Sequence, residues 1–159
     1  NCKGQFVNNY FLRRFIQMSK TAIIYWSGTG NTEVMANAIF EGAKEVNADT
    51  KLFSVDQITA DEAKSYDNLI LGCPAMGAEE LEEGEFEPFF AELEGNLSGK
   101  NVALFGSYGW GDGEWMREWE KRVTDSGAKL AYESVIANDS PDDDAVTSCN
   151  GLGKIVAAL

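Results

Sequence analysis

Histidine is missing from all 159 residues. That removes together the commonest general base, the commonest transition-metal ligand and the usual haem ligand. Cysteine is scarce. Cys2, Cys73 and Cys149 form no CxxC pair, and an ordinary iron–sulfur cluster needs four thiolates. An odd, scattered set gives no disulfide framework either, which suits a reducing cytoplasm. No stretch approaches the ~20 apolar residues of a membrane span. Electron or group chemistry in this chain therefore calls for a bound organic cofactor.

Positive charge is also in short supply. The net charge is −13, and residues 1–17 hold Lys3, Arg13 and Arg14 without one acid, which leaves −16 on residues 18–159. So acidic a surface repels nucleic acid and anionic lipid and favours basic partners. Residues 1–17 read as a leader or added extension, because they lack an apolar stretch and Met18-Ser19-Lys20 follows as a natural start. Residues 18–159 suffice for one domain, and the chain's 44% apolar content supports a real core.

Short apolar runs alternate with amphipathic ones. Thr21–Trp26, Leu52–Val55, Asn68–Gly72, Val102–Phe105 and Leu130–Ile136 are expected strands. Helical spacing puts Met35, Ala38, Ile39, Ala43 and Val46 on one face, and Phe86, Phe89, Phe90 and Leu93 on another. Met116, Trp119 and Val123 mark a further helix, with Trp115 also expected in the core. Thr59 to Glu62 reads as a capping box, and Ser140 as the cap of a last helix running toward Ala158. Five strands alternating with helices predict an α/β fold: a doubly wound parallel sheet with helices on both faces.

Such sheets bind ligands beyond the carboxyl ends of their strands. Three loops there have unusual compositions. Ser27-Gly28-Thr29-Gly30-Asn31-Thr32 can turn consecutive N–H groups and hydroxyls into one concavity at a helix N-terminus. It has no Lys, so it is not a Walker A loop, and Glu33 replaces the third glycine of the dinucleotide fingerprint. A terminal monophosphate fits better than a pyrophosphate, although the segment alone also fits a polar turn with a good helix cap. Ser107-Tyr108-Gly109-Trp110-Gly111-Asp112-Gly113 sets two aromatics among glycines that offer no packing, as suits a flat π-face beside exposed backbone donors. In Cys73-Pro74-Ala75-Met76-Gly77-Ala78-Glu79, the Met76 sulfur could cover a ring and Gly77 could turn its peptide freely; alone it reads as a plain loop.

Taken together, Tyr25 to Thr32, Gly72 to Gly77 and Leu104 to Gly111 resemble the flavodoxins, in particular the short-chain group of anaerobic bacteria. The resemblance covers residues 18–159 and implies a strand order 2-1-3-4-5 with non-covalent FMN at the switch point, a placement for which flavodoxin is itself the standard example. It implies that Ser27, Gly28, Thr29, Gly30, Asn31 and Thr32 hold the FMN phosphate, and that Met76 and Trp110 flank the ring, with Pro74, Ala75 and Gly111 in the same loops. Gly77 would offer its carbonyl to the N5 hydrogen, and Glu79 would accept from the N3 hydrogen. Gly109 and Trp110 N–H groups would face the N1/O2 edge, and Ser107 and Tyr108 the ribityl and phosphate end. Pro74 and Ala78 depart from a common form of the pattern, where relatives carry a hydroxyl residue and Asp, Ser or Asn.

The implied function is that of a low-potential one-electron carrier shuttling between semiquinone and hydroquinone, not of an enzyme. With no cation in the three loops, reduced flavin would face negative charge. Two charges ~10 Å apart repel by roughly 0.4 kcal/mol in water and about 1.7 kcal/mol at an effective dielectric of 20. Glu79, Glu80, Glu82, Glu83, Glu85 and Glu87 crowd the segment beside the ring. They form either a plain solvated face or a docking surface for basic-surfaced redox proteins. The expected protein is a cytoplasmic, bacterial monomer without nucleic-acid or membrane partners. The alternative is a small FMN-dependent quinone or azo reductase, although no residue near the site suggests a substrate acid or base. A receiver domain shares the sheet order, but Gly72-Cys73-Pro74 and Ser27-Gly28 stand where its acidic residues would be.

Overall fold

The computed structural model describes residues 19–159; the expectation for residues 1–17 lies outside them. In chain order the elements are β1 (Thr21–Tyr25), α1 (Asn31–Val46), β2 (Lys51–Ser54), a 3-10 turn (Val55–Gln57), α2 (Ala60–Ala63), β3 (Asn68–Gly72), α3 (Phe86–Glu94), β4 (Asn101–Tyr108), α4 (Glu114–Asp125), β5 (Lys129–Leu130), β6 (Val135–Asn138) and α5 (Asp143–Ala157). The sheet is wholly parallel in the order β2-β1-β3-β4-β5, with β6 also paired to β4.

Period-2 alternation sorts the strand side chains between two helical layers. Ile23, Ile70 and Ala103, in register across β1, β3 and β4, face α1 and α5 with Met35, Ile39, Leu152 and Val156. Ala22, Leu69 and Val102, with Ile24, Leu71 and Leu104, face α2, α3 and α4. Thr21, Asn68 and Asn101 are also in register. There Asn68 Nδ2 donates to Thr21 Oγ1 (3.1 Å) and Asn101 Nδ2 to Asn68 Oδ1 (2.9 Å). This polar line pins the amino ends of the strands, opposite the loops that carry the unusual motifs.

The second layer is aromatic. Trp119 meets the edges of Phe86 and Phe90 at centroid distances of 5.4 and 5.8 Å. Arg122 on α4 grips Glu87 through two nitrogens (2.8 and 2.9 Å), reaches Glu94, and lies 4.7 Å above the Phe90 ring. One side chain thus ties α4 to α3 by ion pairs and by a cation–π contact.

Three expectations need correcting. Leu130–Ile136 is not one strand. Between Val102 and Phe105, β4 takes three steps while the edge takes five from Leu130 to Val135, so Ala131–Ser134 loop out and divide it into β5 and β6. Ser140 does not cap the last helix; Asp142 does, its carboxylate accepting from the Ala145 N–H at 2.8 Å, and Pro141 precedes the cap. Val46 is 40% exposed because α1 ends there, beyond the face that packs.

α1 and α5 approach backbone to backbone. A Cβ on Gly153 would stand 2.1 Å from the Ile39 carbonyl oxygen, and one on Gly42 2.2 Å from that of Asn150. Gly153→Ala is therefore expected to lower stability by about 1–3 kcal/mol despite alanine's better helix propensity, because a backbone carbonyl cannot step aside. Urea unfolding checks this.

Candidate functional site

The sheet register decides which loops meet. Tyr25 of β1 pairs with Gly72 of β3, which pairs with Phe105 of β4. The segments after these three strands therefore leave the same edge. They enclose a cleft of about 200 Å³.

The first wall is the turn into α1. Ser27 Oγ accepts from the N–H groups of Gly30 (3.2 Å) and Glu33 (3.3 Å), and Gly30 takes a left-handed φ of 98° as the helix N-cap. Among the described residues no acceptor meets the N–H groups of Gly28, Thr29, Asn31 and Thr32. Gly28, Thr29 and Asn31 line the cleft. Thr32 lies beneath it, 1% exposed, with Oγ1 3.1 Å from Ser107 Oγ and accepting from the Ser107 N–H at 3.4 Å. Two of the loops are thereby tied to each other by buried hydroxyls.

The second wall is the chain after β3. Pro74, Ala75 and Met76 line the cleft, and Ala75 N–H donates to Ser107 O at 3.0 Å. Met76 and Glu80 then exchange two backbone hydrogen bonds (2.8 and 2.9 Å) and close a tight turn over Gly77-Ala78-Glu79. Both Gly77 (φ 51°) and Glu79 (φ 55°) are left-handed. A Cβ on Gly77 would meet nothing within 4 Å, so its peptide has room to reorient. Gly77 and Glu79 stand beside the cleft, not in its wall.

The third wall is the end of β4 and the first residue after it, where Ser107, Tyr108 and Gly109 line the cleft. The two aromatics part company. Tyr108 packs on Trp115 at 5.5 Å, while Trp110 is 67% exposed. Gly111 stands against the Glu79 carboxylate, outside the cleft wall. Two lining residues were not among the expected site residues: Trp26, which ends the first expected strand, and Asp139, which follows β6. Asp139 has φ 55° and its N–H donates to Tyr108 O at 2.7 Å. The polar Asn138-Asp139-Ser140-Pro141 turn after the last strand was the available signal.

The acidic run does not act as one surface. Glu82 folds back to cap α3, accepting from the N–H groups of Gly84 (2.6 Å), Glu85 (2.9 Å) and Phe86 (2.9 Å). Burial works to raise its pKa, but these three donors prevail and hold it below the ordinary glutamate range near 4.5. Glu87 is spent on Arg122. Glu79, Glu80 and Glu83 join Glu114 and Glu118 around a groove of about 540 Å³ next to the Met76–Glu80 turn. Cys73 lies behind the cleft, its thiol pushed up by burial, and its carbonyl accepts from Trp115 Nε1 at 3.1 Å. It serves as packing.

A family model described as flavodoxin matches residues 23–150. The chain belongs to the flavodoxin family. It is 50% identical over 137 residues to the flavodoxin of Clostridium beijerinckii, spanning 86% of this chain and 99% of that one. Identity to the Megasphaera elsdenii flavodoxin is 47% over 135 residues, spanning 85% and 96%. The solution structure of two-electron-reduced Megasphaera elsdenii flavodoxin superposes with a TM-score of 0.80, covering 87% of this chain and 99% of that one. As a flavodoxin the chain is an FMN-binding electron carrier and not an enzyme, and the reductase alternative is not favoured. Among the described residues no helix is long and apolar enough to cross a membrane.

Because the Glu82 carboxylate titrates lower in the folded protein than in the unfolded chain, its contribution is complete above about pH 4.5 and is lost as pH falls through the folded value. Glu82→Gln is expected to cost about 1 kcal/mol at pH 7, as loss of a helix cap does, and less at an acid pH below its folded value. Chemical unfolding at the two pH values checks it.

Proposed function

We propose that the cleft described above is where this flavodoxin holds FMN, residue by residue. Uncommitted N–H groups and a buried hydroxyl at the positive end of α1 suit a phosphate. Ser27 shapes that turn and Gly30 supplies its left-handed corner; Gly28, Thr29, Asn31 and Thr32 supply amides and hydroxyls, with Ser107 and Tyr108 closing the phosphate and ribityl end. Asp139, lining the same wall, adds an acceptor for hydroxyl groups. Met76 and Trp110, both exposed apolar side chains, would take the two ring faces, and Pro74 and Ala75, which line the cleft, would form its floor. Gly109, Trp110 and Gly111 offer backbone donors at the N1/O2 edge. Gly77 turns its carbonyl to the N5 edge, and Glu79 accepts at N3.

A single observation carries this reading. Trp110, one residue past Gly109 of the cleft wall and flanked by glycines, is a large aromatic 67% exposed, and Met76, which lines the cleft, is 39% exposed. No core packing accounts for the pair, and a flat ring between them does.

FMN supplies reversible one- and two-electron transfer. The chain's part is to bias it. Neither Lys nor Arg occurs in the three loops, and Arg117 beyond them is paired with Asp112, so negative charge gained on reduction would meet Glu79 and the phosphate with no cation of the loops to offset it. The Gly77 carbonyl, in a peptide free of Cβ contacts, would be the acceptor available to a proton held at N5. These biases separate the two electron steps and lower the second potential. Basic-surfaced redox proteins are the partners that the acidic groove fits, and a monomeric, cytoplasmic carrier suits a chain of net charge −13.

Thr32→Ala should weaken FMN binding about tenfold or more, the worth of a hydrogen bond to a charged group, and leave riboflavin binding nearly unchanged. Flavin fluorescence quenching reads both, and equal losses for the two ligands would move the phosphate elsewhere. Spectroelectrochemistry should resolve two one-electron waves; a single unsplit wave would contradict the biasing roles of Gly77 and the acidic surroundings. Electron transfer to a basic reductase should slow as ionic strength rises, and a flat salt response would remove the docking role of the groove.

A further inference from the structure

Glu79 is held in a way that the FMN reading does not require. From the left-handed corner of its turn, its Oε1 accepts from the Asp112 N–H at 3.1 Å. Asp112 is fixed from the first turns of α4. Arg117 Nη1 donates to the Asp112 carbonyl (3.0 Å), and Nη2 to its carboxylate Oδ1 (2.8 Å). Gly111 makes the approach possible. A Cβ there would lie 1.8 Å from Glu79 Oε1 and 2.5 Å from its carboxyl carbon. Among the described residues, Oε2 of Glu79 has no hydrogen-bond partner. One oxygen is anchored and the other is free to accept.

We propose that Arg117 is a positioning residue for flavin recognition: acting through Asp112, it aims the free oxygen of Glu79 at the imide edge of the ring without touching the cofactor. The inference rests on the reading of Glu79 given above. A carboxylate on an exposed turn otherwise has several rotamers to choose from, and each one lost before binding is a cost already met. Arg117 performs this role by the shape of its guanidinium, since one fork serves a carbonyl and a carboxylate at once. An ammonium could hold the charge but not both directions.

The test is a double-mutant cycle on FMN affinity, read by fluorescence quenching of the apoproteins. Wild type, Glu79→Ala, Arg117→Gln and the double variant are compared, with Arg117→Lys as a fifth protein. Glu79→Ala should raise the Kd. Arg117→Gln should raise it about three- to tenfold, as loss of one modest interaction does, and should add nothing in the Glu79→Ala background. Arg117→Lys should not restore wild-type affinity. In the apoprotein the Asp112 amide should exchange faster in both single variants, while the urea midpoint stays put, because the Arg117–Asp112 pair lies on the surface.

Wild-type protein that takes up no FMN, or a Glu79→Ala protein as tight as wild type, overturns the reading of Glu79 and this inference with it. If those two behave as expected, three results overturn the inference alone: an undiminished Arg117→Gln loss without Glu79, wild-type affinity in Arg117→Gln, or full restoration by Arg117→Lys, which would leave charge as the sole agent.

Discussion

Tyr25, Gly72 and Phe105 stand side by side on three parallel strands, and the cleft hangs from that register. A slip of one residue would turn Ile23 and Ile70 out of their layer and send the loops off at different heights. Two polar ties hold the alignment from opposite ends. The Thr21–Asn68–Asn101 line fixes the amino ends, and the Thr32–Ser107 hydroxyl pair fixes the carboxyl ends. Between them the sheet is apolar on both faces, so it has no other polar means of choosing its register. Buried hydrogen bonds of this kind add modest net stability, but a register that leaves them unmade costs more.

A parallel sheet also dictates the chemistry available at its edge. Every strand arrives with its carboxyl end there, and helices restart with bare N–H groups, so donors gather in loops that carry no cation of their own. A protein of net charge −13 can accept an anion at that edge because the donors are backbone groups, fixed in direction and electrically neutral. On the reading proposed above, an anion there would be bound without being neutralised. Binding and a low reduction potential, which a lysine in the loop would set against each other, would then be compatible.

Much of this was legible in the sequence because it is local. Leu69 to Leu71 form an all-apolar run bounded by Asn68 and Gly72, and Phe86, Phe89, Phe90 and Leu93 can only share a helical face. The glycine-rich loops announce themselves by composition. What escaped depends on contacts between distant segments. Nothing in Leu130–Ile136 discloses two residues too many for its neighbour, since the mismatch exists only beside β4. Asp139 enters the cleft through the same edge, and so it escaped with it. The acidic run misled in another manner. Six glutamates look alike in sequence, yet Glu82 is a helix cap and Glu87 a salt-bridge partner, because α3 begins between them and Arg122 lies across from the second.

The Met76–Glu80 turn shows how strain and function share a segment. A left-handed glutamate costs of order 1–3 kcal/mol, and glycine at that position would relieve it. The turn keeps Glu79 there nonetheless, stapled by two backbone hydrogen bonds and drawn toward Asp112 by a third. Gly77, two residues earlier, has the opposite character, with open space around its missing Cβ. One short loop therefore holds a peptide that is free to turn next to a side chain that is not. Rigidity at Glu79 confines any reorientation to the Gly77 peptide. Were the whole turn loose, a reward for turning one carbonyl would be spread over many conformations and lost as entropy. In the proposed site, a stiff frame around one soft bond would let a small change of protonation at a ring edge be felt as a change in energy.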